Sequence, residues 1–258
     1  MNNQVKIMLW CVPRSCSTAF SKAISKQENS KIVMEPFADS YYYGEERVSR
    51  RYNNNPVKPN LSFSDIQKSL ENDYNEFSVI FAKDMAYYLS NQMERLNEVL
   101  PEGYVHTFLI RHPRKTVASL YKTSLNDSTE GFNYFDPAEA EFKSLHDLFF
   151  KIKEQTGETP LVIDAADLLE NPDRMLNKYC MKTGLPFSEE MLKWDRGGMS
   201  DLENAFPGWQ KTLNETTGFL KPQATSPKED PKLSEAAEQA IHDNMEYYNT
   251  LYSYRISC

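Results

Sequence analysis

Arg14, Ser15, Ser17 and Thr18 crowd into one short turn of MLWCVPRSCSTAF, residues 8–20. An apolar run stops at Pro13, a permanent cation follows, hydroxyls come next, and a helical pattern then begins. A strand that turns tightly into a helix leaves backbone N–H groups unpaired at the helix start, where the helix dipole adds partial positive charge. Phosphate or sulfate is the natural guest. The hydroxyls can donate to it, and the guanidinium adds charge with a planar donor fork. Taken alone, the turn reads equally as a serine-capped helix beside a solvated arginine. The Walker pattern GxxxxGK[ST] is absent.

YVHTFLIRHPRKTVASLYKTS, residues 104–124, repeats the arrangement: an apolar strand, Arg111 at its exit, and a helix opened by proline. Arg111 and Ser119 lie eight apart, so Ser119 sits about two turns into the helix and meets Arg111 only if that side chain folds back over the helix. Alone, Arg111 and Arg114 read as surface charges and Ser119 as a helix-face hydroxyl. Two such units at one sheet end suit a ligand with two separated anionic groups, since open α/β sheets bind ligands beyond the carboxyl ends of their strands.

Other candidates cluster at further strand exits. Glu35 follows the second apolar run in VMEPF, and Lys83 and Asp84 follow the third in KDMAYY. A Glu before Pro at a strand end also pairs readily with a cation such as Arg14 or Lys83. His106 lies inside a strand and His146 and His242 lie within helices, all three as packed residues, while His112 stands beside Arg111. Tyr41, Tyr42 and Tyr43 either line a pocket or pack, and Arg47, Arg50 and Arg51 either favour an anionic guest or form a solvated face. Trp194, Trp209 and Phe219 flank a second irregular region and suit either core packing or a cover for a flat ring.

The elements that must position these groups alternate. Near-continuous apolar runs predict strands near Lys6–Cys11, Lys31–Met34, Ser78–Phe81, Tyr104–Ile110 and Leu161–Asp164, covered on both faces. Helices are expected over 17–26, 64–74, 85–100, 113–125, 136–155, 171–182 and 233–252, with proline near several starts and glycine past several ends. Tyr41–Asn60 and Asp195–Pro231 read as long functional loops. The pattern is α/β with a mostly parallel five-stranded sheet, and one domain over 1–258 suffices.

Composition narrows the options. The chain has 258 residues, 40% of them hydrophobic and 26% charged, with a formal net charge of −8. Nothing global attracts nucleic acid or an anionic membrane, so cations for a polyanion must be concentrated locally. Cys11, Cys16, Cys180 and Cys258 show no CxxC spacing, which argues against zinc and against a disulfide framework. Cys16 follows a strand like a phosphatase nucleophile, but Lys22 stands where that loop needs arginine. No run approaches the ~20 apolar residues of a membrane span, and the opening MNNQVKIMLW lacks the shape of a signal peptide, which makes the cytoplasm the default.

PRSCST at 13–18 and RHPRKTVAS at 111–119 together resemble the sulfotransferases that use 3′-phosphoadenosine 5′-phosphosulfate. The first is similar to their 5′-phosphosulfate loop, commonly PRSGST or PKSGTT, and the second to their 3′-phosphate motif, commonly RDPRDVAVS. VMEPF, KDMAYY, VIDAADLLENPDRML, MLKW and TTGF resemble the soluble branch with PRSGST-type loops, so the likeness runs from about Val5 to Phe219. The family implies a P-loop-like three-layer sandwich around the parallel sheet. It also implies metal-free transfer of a sulfuryl group to a hydroxyl or amine of a small-molecule acceptor, releasing adenosine 3′,5′-bisphosphate.

By this resemblance Arg14, Ser15, Cys16, Ser17, Thr18 and Ala19 hold the 5′-phosphosulfate, Arg111 and Ser119 hold the 3′-phosphate, and Thr217 and Gly218 of TTGF close over the latter. Arg14 stabilises the leaving group, Glu35 is the expected base on a strand beside the first loop, and Lys83 either lines the acceptor pocket or merely pairs with Glu35. Two departures stand out. Cys16 replaces the loop glycine, so either its backbone stays at negative φ or the anion nest is distorted. His112 replaces the usual Asp. Two rivals remain open: a small-molecule kinase on the same fold, for which Asp164 is the one candidate magnesium carboxylate, and a nucleotide-binding protein without turnover.

Overall fold

Runs of apolar residues become strands buried on both faces. In a computed structural model that describes residues 4–125, 133–197, 199, 211–221 and 232–257, β1 is Val5–Cys11, β2 Ser30–Met34, β3 Val79–Met85, β4 Val105–Ile110 and β5 Leu161–Asp164. All pair in parallel in the order β2-β3-β1-β4-β5. Ile7 to Cys11 of β1 are wholly buried, as are Ile80 to Asp84 of β3 and Phe108 to Ile110 of β4. This near-continuous apolar reading is the one a parallel sheet with covered faces requires.

Flanking helices supply the cover. They are α1 Ser17–Ile24, α2 Ala38–Tyr43, α3 Phe63–Glu71, α4 Pro113–Ser124, α5 Lys143–Thr156, α6 Ala165–Glu170, α7 Pro172–Thr183, α8 Lys211–Asn214 and α9 Glu235–Ser253. Phe20 of α1 stacks on Phe81 at 6.1 Å and meets the edge of Tyr179 at 4.9 Å, which ties α1 to both β3 and α7. Val117 and Leu120 of α4 pack on Ala237, Ala240 and Ile241 of α9 in a second small core. Among the described residues no helix is long and apolar enough to cross a membrane.

Three expectations fail locally. The third strand runs on to Met85, so Lys83 and Asp84 lie within it rather than at its exit. The helix expected over 85–100 is two short 3₁₀ turns, Ala86–Leu89 and Met93–Glu98. Ala86 to Leu89 are all buried, and a one-sided surface helix cannot hide four consecutive residues. The helix expected over 136–155 is interrupted between a 3₁₀ turn at Pro137–Ala140 and α5. There the Phe142 amide donates to Asn244 Oδ1 at 2.9 Å and the Ser144 amide to Glu141 Oε1 at 3.0 Å, so side chains take the bonds a continuous helix would have made.

The sheet order also corrects the expected placing of Glu35. β2 is not beside β1; β3 lies between them. The long loop after Glu35 is not wholly irregular either, since α2 occupies its start and buries Tyr41 and Tyr42. Trp209 and most of the 195–231 stretch lie outside the described residues.

Candidate active site

Between β1 and α1 the chain makes two left-handed steps, at Arg14 (φ 64°) and Cys16 (φ 71°, ψ 15°). Cys16 does not stay at negative φ: it adopts the glycine-like backbone, at a cost of about 1 kcal/mol for a residue with a Cβ. No side chain caps α1, so the amides at its start face the cleft unassisted. Ser15 is fully buried, and its hydroxyl has no hydrogen-bond partner. Ser15 does not line the cleft, unlike its neighbours Arg14, Cys16 and Ser17; a buried hydroxyl left without a partner is unusual and calls for one.

The two anion units form one network. Arg14 Nε donates to Ser119 Oγ at 3.0 Å, and Arg111 Nη1 donates to the Arg14 carbonyl at 2.8 Å. Sequence spacing pointed to Arg111 folding back toward Ser119; here Arg14 reaches Ser119 and Arg111 braces the turn instead. Burial pushes the Arg14 guanidinium below the usual arginine range, and the neighbouring Arg111 charge pushes the same way against Cys16. The two guanidinium groups thus lie close enough to repel, and both line the cleft. His112 Nδ1 accepts from the Arg114 amide at 3.3 Å, and its ring meets Tyr248. Tyr248 donates to Asp164 Oδ2 at 3.0 Å, while Asp164 Oδ1 takes the Ala166 amide at 2.7 Å, so Asp164 is spent as the cap of α6.

Across the cleft, Glu35 follows β2 in a left-handed conformation (φ 51°). Its amide donates to the Lys83 carbonyl at 2.7 Å. The fully buried Asp84 takes the amides of Phe37 and Met85, each at 2.8 Å, and so fixes the turn just past Glu35. Burial holds the Asp84 carboxyl well above the usual carboxylate range, against those amide bonds. The Glu35 carboxylate accepts from Lys83 Nζ at 2.5 Å and from the Tyr88 hydroxyl at 3.0 Å. Burial alone would push Lys83 down; Glu35, with Cys11 and Asp84, outweighs it and holds the ammonium above its ordinary value.

One cavity of about 560 Å³ joins these groups. Arg14, Cys16, Ser17, Thr18, Ala19, Arg111, Ser119, Gly218 and Glu35 line it. Lys83 does not; it lies wholly buried behind Glu35. Thr217 is exposed, and its neighbour Thr216 lines the cleft in its place. Gly218 has no room for a side chain, since a Cβ would come within 2.8 Å of the Leu192 carbonyl. Trp194 packs edge-on to Phe219 at 5.0 Å and donates to Thr216, shaping this wall from behind.

Sequence reasoning passed over Tyr87, Tyr88 and Glu139, which also line the cleft. The tyrosines directly follow β3, a position whose promise was readable. Glu139 carries no such signal. It is buried and bound by Arg51 through Nε at 2.7 Å and Nη2 at 2.6 Å, and by the Tyr42 hydroxyl at 3.2 Å.

The sulfotransferase-domain family model matches residues 5–253, nearly the whole chain. The chain belongs to the sulfotransferase family. Branched-chain-amino-acid aminotransferase-like protein 2 of Arabidopsis thaliana is 26% identical over 223 residues, covering 84% of this chain and 36% of that protein. Its paralogue, protein 1, is 25% identical over 256 residues, covering 95% and 41%. Sulfotransferase ppzF of Metarhizium majus is 27% identical over 141 residues, covering 47% and 41%. The chain thus spans well under half the length of each of these relatives. Among solved structures, the sulfotransferase domain of the Synechococcus PCC 7002 olefin synthase superposes with a TM-score of 0.53 at 16% identity, covering 93% of this chain and 94% of that one. The sulfotransferase domain from the curacin biosynthetic pathway gives 0.51 at 14%, covering 93% and 98%. These two likenesses extend to the fold, a parallel five-stranded sheet with flanking helices.

Proposed function

We propose that this sulfotransferase uses 3′-phosphoadenosine 5′-phosphosulfate as donor and a small molecule bearing a hydroxyl or amine as acceptor. The observation that carries the reading is the network Arg111–Arg14–Ser119, which gathers two cations and a hydroxyl beside the orphan hydroxyl of Ser15. A ligand with a 5′-phosphosulfate on the turn and a 3′-phosphate near Arg111 and Ser119 matches the charge and the hydroxyls gathered here.

When bound, the nucleotide supplies a sulfuryl group: the acceptor oxygen or nitrogen forms the new bond to sulfur, the bond from sulfur to the 5′-phosphate oxygen breaks, and that oxygen keeps the electron pair. Arg14 and the α1 amides hold negative charge at the turn, an interaction that strengthens as charge develops. Glu35 takes the acceptor proton at its carboxylate. Lys83 and Tyr88 each donate to that carboxylate and orient it. Asp84 holds the turn that aims it.

Calorimetry on the full chain tests the donor. Adenosine 3′,5′-bisphosphate should bind without magnesium and more tightly than ATP. Magnesium-dependent ATP binding that exceeds it would favour the kinase. Tight bisphosphate binding with no sulfuryl transfer to any acceptor supplied would favour the non-turnover binder.

A further inference from the structure

The lining charges of the cleft are unevenly spread. Among the described residues its lining cations, Arg14, Arg111 and Lys115, with His112, belong to the β1 and β4 exits, where Asp164 at the end of β5 lines it too. The other end is walled by Glu35, Glu139, Tyr42, Tyr87 and Tyr88. The cations that compensate its carboxylates, Lys83 and Arg51, are shut away behind them with side chains 0% and 1% exposed, and neither lines the cleft. Glu139 is itself only 2% exposed and Glu35 9%, so each carboxylate is an ion-paired group at the edge of the cleft, with its cation on the far side.

The rings pack on one another as a single aromatic wall of the cleft. Tyr87 and Tyr88 centroids are 4.5 Å apart, Tyr42 and Tyr88 are 5.7 Å apart, and the Tyr42 and Tyr87 hydroxyls bond at 2.9 Å. Tyr41 buttresses all three. Its phenol lies in the field of Glu139, Asp136 and Glu141, opposed by Arg51. Aromatic faces carry negative potential and attract cations, most strongly where water is excluded.

From this juxtaposition we infer that the acceptor carries a positively charged nitrogen, an ammonium or alkylated amine, seated among Tyr42, Tyr87 and Tyr88 beside Glu139, with its reacting hydroxyl or amine toward Glu35. The inference rests on reading this end of the cleft as the acceptor site. An anionic acceptor would face two carboxylates, with no lining cation at that end among the described residues to receive it. Of the three arginines that sequence offered for an anion, Arg51 is engaged with Glu139 and Arg47 with the carbonyls of Asn53 and Asn55, while Arg50 is exposed and does not line the cleft.

The test titrates three probes into the full chain, with and without adenosine 3′,5′-bisphosphate. They are choline, its uncharged isostere with a tert-butyl group in place of the trimethylammonium, and glycolate. Choline should bind at least about fivefold more tightly than the isostere, with glycolate weakest. Glu139→Gln should shrink that ratio toward one while leaving bisphosphate affinity unchanged. Because that substitution strips buried Arg51 of its partner, Tyr87→Leu provides the same test if the first variant fails to fold. A ratio of one or less, or no binding of any probe, overturns the inference. If the bisphosphate still binds in that case, the donor reading stands; if the bisphosphate fails to bind, the donor reading falls, and the probe ratio without nucleotide still decides this one.

Discussion

Arg111 donates from Nη1 to the backbone carbonyl of Arg14 at 2.8 Å. The second anion unit thereby holds the shape of the first, and a change at one strand exit is felt at the other.

Arg111→Ala separates direct from indirect loss. Affinity for adenosine 3′,5′-bisphosphate should fall by about 10- to 100-fold, the worth of one or two charge-assisted bonds. Adenosine 5′-phosphosulfate, lacking the 3′-phosphate, should lose only the part due to a loosened turn, less than about fivefold. Equal losses by calorimetry would confine Arg111 to bracing Arg14.

Glu35→Gln should cut sulfuryl transfer by about 10²-fold or more while bisphosphate binding stays within about twofold. It also strips fully buried Lys83 of its counter-charge, so unfolding stability should drop by about 3 kcal/mol. Adding Lys83→Met should restore the melting temperature and leave transfer lost. Transfer at the wild-type rate in the single variant would remove Glu35 as proton acceptor.

Cys16→Gly should raise stability by about 1 kcal/mol, since glycine occupies the left-handed region without a clashing Cβ. Nucleotide affinity should hold or improve, because the amides of the turn keep their directions. Chemical denaturation reads the first outcome and calorimetry the second; a destabilised variant would show that the thiol packs well enough to outweigh its backbone strain.

His106 links stability to acid. Trp10 Nε1 donates to His106 Nδ1 at 3.1 Å, which requires an unprotonated nitrogen there, and burial holds the imidazole down at about 4 against an ordinary 6.5. As pH falls from 6.5 toward 4 the unfolded chain takes up the proton first. Stability fully present above 6.5 is therefore lost through that window, by about 3 kcal/mol. His106→Gln keeps an acceptor for Trp10 without titrating, so urea midpoints between pH 7.5 and 4.5 should decline less steeply. Parallel declines would place the acid sensitivity elsewhere.

The strands and both anion units were legible because their signals are local: an apolar run, then an arginine and hydroxyls within a few residues. The surroundings of Glu35 were not. Lys83, Asp84 and Tyr88 reach it because β3 inserts between β1 and β2, an order that no short window of sequence contains. Reading Met85–Leu100 as one helix failed for a related reason, since full burial of Ala86 to Leu89 comes from neighbours distant in the chain. Arg51 pairs with Glu139 of a 3₁₀ turn far along the chain, where charge alone suggested either an anionic guest or a solvated face.

β1 takes its bonds from β3 on one side and β4 on the other, with Val5 opposite Val79 and Ile7 opposite Val105. Nothing nearby in the chain can complete it, so on the ribosome the most apolar strand emerges long before either partner. Until Ile110 has cleared the exit tunnel, at least one flank of β1 stays open as a template for mispairing. Fragments ending ahead of Tyr104 should therefore accumulate as insoluble material, and synthesis should gain from chaperones that shield β1 until β4 has emerged.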